Sequence, residues 1–188
     1  MKGLARRLMA GRLAVHHEMG VTVLNEKGEP IDLITPQMMA LSDWGIVYER
    51  WIGLELEKDG WEIDYRGLAL GFADQGIDLV AVRDGKSRYL QCKFVHTPFG
   101  KQQIEQILYK ASQYLHHQAL NRGDVFELIV PHVEKAFPLT RKKNKPPQEN
   151  QFKRRFLGCN HIQSRIRLAI TQIPMDIQCP IRGNPEIE

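Results

Sequence analysis

The sequence predicts an α/β fold, a mixed central sheet flanked by helices, and three observations carry that expectation. The stretches 42–61 and 101–120 repeat their apolar side chains at helical spacing. Short runs with the composition of strands lie between and after them, and two of these runs meet at Asp84-Gly85, a strong hairpin signal. The resulting order, helix, strand, hairpin, helix, strand, belongs to helices packed on a sheet whose strands run both ways. At 188 residues, 43% of them hydrophobic, the chain has the length and apolar content for one sizeable core with extensions.

In chain order, the first forty residues suggest a short basic helix over 4–18, a weak strand at 21–24, a turn from Asn25 to Pro30 and a connector through Pro36. Ser42 and Asp43 are N-cap residues for the next helix, and Asp59-Gly60 is a stop signal. Within it Val47, Trp51 and Leu54, and beside them Tyr48, Ile52 and Leu56, form two adjacent apolar stripes, which implies packing on something large. Residues 61–65 read as a strand, 66–76 as a glycine-bearing loop, and 76–83 with 87–94 as the two arms of the hairpin. Ile104, Leu108, Ala111 and Leu115 mark one face of the helix at 101–120, and 124–132 reads as a buried strand. Beyond Phe137 the composition changes: 141–155 holds seven Lys or Arg against one Glu around Pro146-Pro147, a basic loop leading into a short helix, and 165–173 is one more strand. The expected organisation is an N-terminal extension (1–40), a core (41–135) and a basic C-terminal extension packed on it (136–188).

Lys and Arg outnumber Asp and Glu by 26 to 22, a net charge of +4 that favours acidic partners such as nucleic acid only mildly. Cys92, Cys159 and Cys179 are too few and unevenly spaced for a disulfide framework, so a reduced, cytoplasmic setting is expected. Cys159, His161 and Cys179 lack the spacing and the fourth ligand of a structural zinc site. The basic N-terminus has no continuous apolar stretch of the kind a signal peptide or membrane span needs, so no membrane association is expected. Lys2, Arg6, Arg7 and Arg12 there fit a solvated helix face or phosphate contacts. No phosphate-cradling nucleotide loop is evident, so no nucleotide cofactor is expected, and a translocating motor would be a separate chain.

Two charged residues interrupt the apolar hairpin. Asp78 opens its first strand and Lys93 ends the second, two residues after Gln91, so that strand alternation puts Gln91 and Lys93 on one face and Cys92 on the other. Folding the hairpin at Asp84-Gly85 brings Asp78 opposite residues 91–93. A carboxylate beside an amine suits phosphodiester chemistry: a hard divalent cation takes oxygen ligands from one or two carboxylates, water and phosphate, and a neighbouring lysine stabilises developing charge. Glu49 offers a second carboxylate, on or beside the packed face of its helix, with Gly45 and Gly53 one turn away on either side as points of close approach.

Taken together, "VYERW", "QGIDLVAV" and "YLQCKF" resemble the core of the PD-(D/E)xK nuclease superfamily, in particular its Mrr-like restriction endonuclease branch, over roughly residues 42–120. The resemblance implies a restriction-endonuclease-like αβββαβ core and a Mg²⁺ cofactor, with Mn²⁺ able to substitute. By position, it implies that Asp78 and Glu49 bind the metal with the backbone carbonyl of Cys92, that Gln91 occupies the second motif position, and that Lys93 serves the attacking water. Ile77 stands where the family has proline, and the neutral Gln91 removes a metal-binding charge, which gives Glu49 more weight.

Around this centre, His96 and Thr97 follow Lys93 closely enough to meet a phosphate. Lys101 and Lys110 lie on the polar side of their helix, and Arg141, Lys142, Lys143 and Lys145 would add sequence-independent affinity for DNA. An ordinary solvated surface accounts for the same charges. The function expected is therefore a metal-dependent DNA endonuclease in restriction, repair, phage or mobile-element biology, a homodimer if both strands are cut. The competing readings are a structure-selective junction resolvase of the same superfamily and a non-catalytic nucleic-acid-binding module in which Gln91 marks a lost site.

Overall fold

The computed structural model describes residues 2–16, 20–95, 97–141 and 146–175. The chain begins with helix α1 (Lys2–Leu8) and strands β1 (Arg12–His16), β2 (Gly20–Leu24) and β3 (Pro30–Ile34). Helix α2 (Asp43–Lys58), β4 (Glu62–Asp64), the short α3 (Arg66–Leu70), β5 (Leu79–Arg83), β6 (Lys86–Cys92), α4 (Lys101–His116) and β7 (Val125–Val130) follow. The last elements are α5 (Val133–Ala136), α6 (Gln151–Leu157), α7 (Asn160–Gln163) and β8 (Arg167–Gln172).

Strands β4 to β8 lie side by side in chain order as a mixed sheet, antiparallel through β4, β5 and β6 and parallel through β6, β7 and β8. Asp84 and Gly85 close the β5–β6 hairpin with φ of 52° and 70°, the left-handed pair that matches the twist of a two-residue hairpin. Strand alternation divides the core in two. Leu79, Ala81, Leu90, Cys92 and Ile129 face α2, which contributes Val47, Tyr48, Ile52 and Leu56. Tyr89, Phe126, Leu128 and Val130 face α4, which contributes Ile104, Ile107, Leu108 and Ala111. The C-terminal portion closes this second side: Phe156 of α6 is fully buried against Phe126, and β8 pairs with β7 over its whole length. The Tyr48 hydroxyl donates to the Ile173 carbonyl at 2.7 Å, tying the chain beyond β8 back to α2.

Three segments differ from the sequence expectation. The helix expected over 4–18 stops at Leu8, and Arg12–His16 pairs with β2 instead. Gly11 marks the change, because a Cβ there would stand 2.0 Å from the Leu24 carbonyl oxygen. The connector before Pro36 contains β3, which makes the N-terminal region a three-stranded antiparallel sheet. A bidentate pair from Arg7 to Asp32, at 2.6 and 2.7 Å, fastens α1 to β3 and holds the Asp32 carboxyl below its ordinary range. Residues 66–74 form α3 and a 3₁₀ turn rather than a plain loop. Capping of α2 also differs: Ser42 makes no side-chain cap, whereas Asp43 accepts from the Ala40 amide at 2.9 Å. Among the described residues, no helix is long and apolar enough to cross a membrane.

Candidate active site

The hairpin register sets Leu79 against Leu90, which puts Asp78 beside Gln91 at the open end of the sheet, and the Asp78 amide donates to the Leu90 carbonyl at 2.8 Å. The turn leading into it is built for close packing. Gln75 and Gly76 both take positive φ, 58° and 77°, and a Cβ on Gly76 would sit 2.7 Å from the Cβ of Lys110 on α4. A side chain at position 76 would therefore meet both backbone strain and a packed helix. Asp74 locks this turn by accepting from the Gly76 amide at 2.7 Å.

Asp78 is buried, and one of its oxygens, Oδ2, accepts from Gln91 Nε2 at 2.7 Å and from the Cys92 amide at 2.6 Å. Gln91 thus acts as a donor that orients the carboxyl. The Cys92 thiol lies on the other face, against the α2 side of the core, and burial, followed by the charges of Asp78 and Glu49, pushes it well above its ordinary range. Glu49 reaches the same end of the sheet from α2. A Cβ on Gly67 would stand 2.4 Å from Glu49 Oε2 and 3.4 Å from the Asp78 Cα, while the Gly67 amide donates to the Asp78 carbonyl at 2.8 Å. The backbone of α3 can lie between the two acids because position 67 has no side chain.

The electrostatics of these groups are linked. Burial first, then the charge of Asp78, pushes the Glu49 carboxyl up to about 9. Burial likewise pushes Asp78 up to about 7; the Lys93 charge opposes this, and the charge of the neighbouring Asp74 reinforces it. Charging one acid resists charging the other, and Lys93 is the positive group that favours both ionised forms. Glu49, Asp74, Asp78, Gln91, Lys93 and Lys110 line one cleft of about 670 Å³.

The oxygen-only set suits a hard cation. Among the described residues no group of three or more His, Cys, Asp or Glu side chains is arranged to hold a metal ion. An ion at Asp78 and Glu49 would therefore take most of its coordination from water and substrate, the habit of Mg²⁺.

The expected residues thus divide. Asp78, Gln91, Lys93 and Glu49 come together, and Lys110 joins them at the cleft. Thr97, Lys101 and Arg141 are exposed and do not line it; Lys101 pairs with Glu105 at 4.0 Å. His96, Lys142, Lys143 and Lys145 lie outside the described residues, as does Cys179, whereas Cys159 Sγ and His161 Nδ1 stand 3.4 Å apart. The flanking glycines of α2 do not serve the site: Gly45 faces open space and Gly53 makes room for the Tyr65 ring, 2.2 Å from where its Cβ would be. Sequence reasoning missed Asp74 and Gly67. The signals available were an acid two residues before Gly76 in "ADQGID" and a glycine next to Arg66 in the supposed loop. Set against known proteins, the chain matches no family model, no curated protein and no solved structure.

Proposed function

We propose that the protein is a Mg²⁺-dependent DNA endonuclease with a restriction-endonuclease-like core, of the PD-(D/E)xK type in its Mrr-like form. One observation carries this reading. Glu49 from α2, Asp78 immediately before β5, Gln91 from β6 and Lys93 immediately after it are brought together along one cleft. Burial of two acids beside a lysine is costly for a structural purpose alone and useful for binding a cation and a phosphate.

Asp78 and Glu49, with the Cys92 carbonyl, are the groups that would hold Mg²⁺ or Mn²⁺. When bound, the ion would polarise the scissile phosphate and lower the pKa of an attacking water. Gln91 and the Cys92 amide keep the Asp78 carboxyl in one orientation. Lys93 orients the water and stabilises the charge that builds on the phosphorus centre in the transition state. Lys110 draws the substrate phosphate into the cleft. Thr97, Lys101 and the basic run from Arg141 to Lys145 supply backbone contacts that position DNA without reading its sequence. Cutting both strands would take a second active site, from a homodimer or a second encounter.

The test is cleavage of supercoiled, linear and branched DNA in Mg²⁺, Mn²⁺ or EDTA by wild type, Asp78→Asn and Lys93→Ala. Metal-dependent cutting that falls at least about a hundredfold in both variants is expected. Cutting unaffected by either substitution overturns the assignment of the site. Equal DNA binding by all three proteins with no cutting under any metal replaces the enzyme with a nucleic-acid-binding module.

A further inference from the structure

The acids and lysines share their cleft with apolar side chains. Ala5 of α1, Ile46 of α2, Leu68 and Leu70 of α3 and Ile107 of α4 line the same space. Leu70 is 48% exposed and belongs to neither core cluster, so core packing does not account for its place there. Ile46 and Leu68 are only partly buried at the edge of the α2-side core. Tyr109 is 67% exposed on α4, one residue before Lys110 and three after Gln106, both of which line the cleft.

Continuous duplex DNA has little to offer such a lining. Its backbone is charged, its groove edges are largely polar, and the apolar faces of its bases are covered by their neighbours. Those faces become available when a nucleotide leaves the stack. The volume of about 670 Å³ also lies within the ~300–1,000 Å³ typical of sites that enclose a small molecule, more than contact with a single backbone phosphate calls for.

We propose that the cleft takes an unstacked nucleotide of DNA, with its base against the aliphatic lining and its phosphate toward Lys93 and Lys110, so that single-stranded or locally distorted DNA is preferred over continuous duplex. This rests on the nuclease reading for its chemistry, though its binding preference can be measured without cleavage. Tyr109, exposed on α4 next to Lys110 in sequence, offers a stacking surface for a neighbouring base. Ala5 of α1 contributes to that apolar lining.

The experiment is fluorescence anisotropy of the Asp78→Asn protein in EDTA, where no strand is cut. It uses labelled single-stranded, fully paired and one-nucleotide-bulged oligonucleotides, with 2-aminopurine at the bulge as a reporter of base environment. The single-stranded and bulged probes should bind about tenfold more tightly than the paired one. The 2-aminopurine emission should change on binding. A further Leu70→Ser substitution should shrink the preference to about threefold or less, whereas Leu70→Met should keep it. Equal affinity for the three probes, or a preference untouched by Leu70→Ser, overturns the proposal even if wild type cuts duplex DNA well. A preference that depends on Leu70 in a protein that cuts nothing under any metal supports it and removes the nuclease reading instead.

Discussion

Raising the pH in the absence of divalent cations should destabilise the folded protein through its own site. Asp78 ordinarily loses its proton near 3.8, but in the fold it holds it to about 7, chiefly because burial disfavours the charged carboxylate. At ~1.4 kcal/mol for each tenfold change in proton affinity, the whole difference comes to about 4 kcal/mol. The folded state binds this proton more tightly than the unfolded chain does. Its contribution is therefore complete below about pH 4 and lost as the pH climbs through about 7. More than a third of it, between about 1 and 2 kcal/mol, falls between about pH 5.5 and 7. Glu49, pushed from 4.5 to about 9 by burial and by the charge on Asp78, carries the loss to higher pH. A small domain has only about 5–15 kcal/mol in total, so the effect is large enough to read by urea unfolding followed through the fluorescence of Trp44, Trp51 and Trp61. In EDTA, wild type should lose stability steadily from about pH 5.5 to about pH 8.5. Asp78→Asn, which keeps an oxygen to accept from Gln91 and Cys92, should lose much less and exceed wild type at the alkaline end. Millimolar Mg²⁺ should flatten the wild-type profile, since an ion that binds only the folded, ionised site offsets its charge. A wild-type profile in EDTA that is flat or rises over this range, or a slope unchanged in Asp78→Asn, would refute the argument.

Other perturbations separate the site from its scaffold. Gly67→Ala should leave urea unfolding within about 1 kcal/mol of wild type, because position 67 has no left-handed backbone to strain, yet weaken Mg²⁺ binding measured calorimetrically by displacing Glu49. Glu127 receives two bonds from Arg88, at 2.7 and 2.8 Å, and one from Thr171 at 2.8 Å, so Glu127→Ala should cost about 3 kcal/mol in urea unfolding by stranding a largely buried guanidinium. Replacing Arg141, Lys142, Lys143 and Lys145 with glutamine should make DNA affinity less dependent on salt, the slope of log K against log salt shrinking by about 0.9 for each duplex phosphate that is no longer neutralised.

What could be read from the sequence was whatever its local pattern decides. Helix α2 declared itself by two apolar stripes, α4 by one, and the β5–β6 hairpin by Asp84-Gly85 between alternating residues; each is settled within a dozen or so positions. The segments misread depend on partners far along the chain. Leu13 and Val15 fit the end of an amphipathic helix as well as the inner face of a strand, and pairing with Val23 and Val21 decides between them. Pro30 and Asp32 disguise β3, which is held by its ladder to β2 and by Arg7. Gly67 and Gly71 disguise α3 as a loop, because a short helix with poor intrinsic propensity forms only when packed against α2 and the start of β5.

The same distinction explains the site. Asp78, Gln91 and Lys93 could be associated in advance because one hairpin holds all three, and Glu49 because helical spacing put it near the packed face. Asp74 could not, since its approach to Asp78 is produced by the left-handed pair Gln75-Gly76 and by α4 resting on Gly76. Its presence alters how the neutral Gln91 should be understood. Three acids already converge on the cleft, and position 91 lies at hydrogen-bond distance from Asp78 Oδ2. A carboxylate there would set a further negative charge beside Asp78 and take away a donor, driving Asp78 further toward its protonated form. A glutamine supplies the bond without the charge. Where Asp74 already contributes to the acidic side of the cleft, the neutral residue keeps Asp78 oriented and ionisable, so its neutrality is as compatible with a working site as with a lost one.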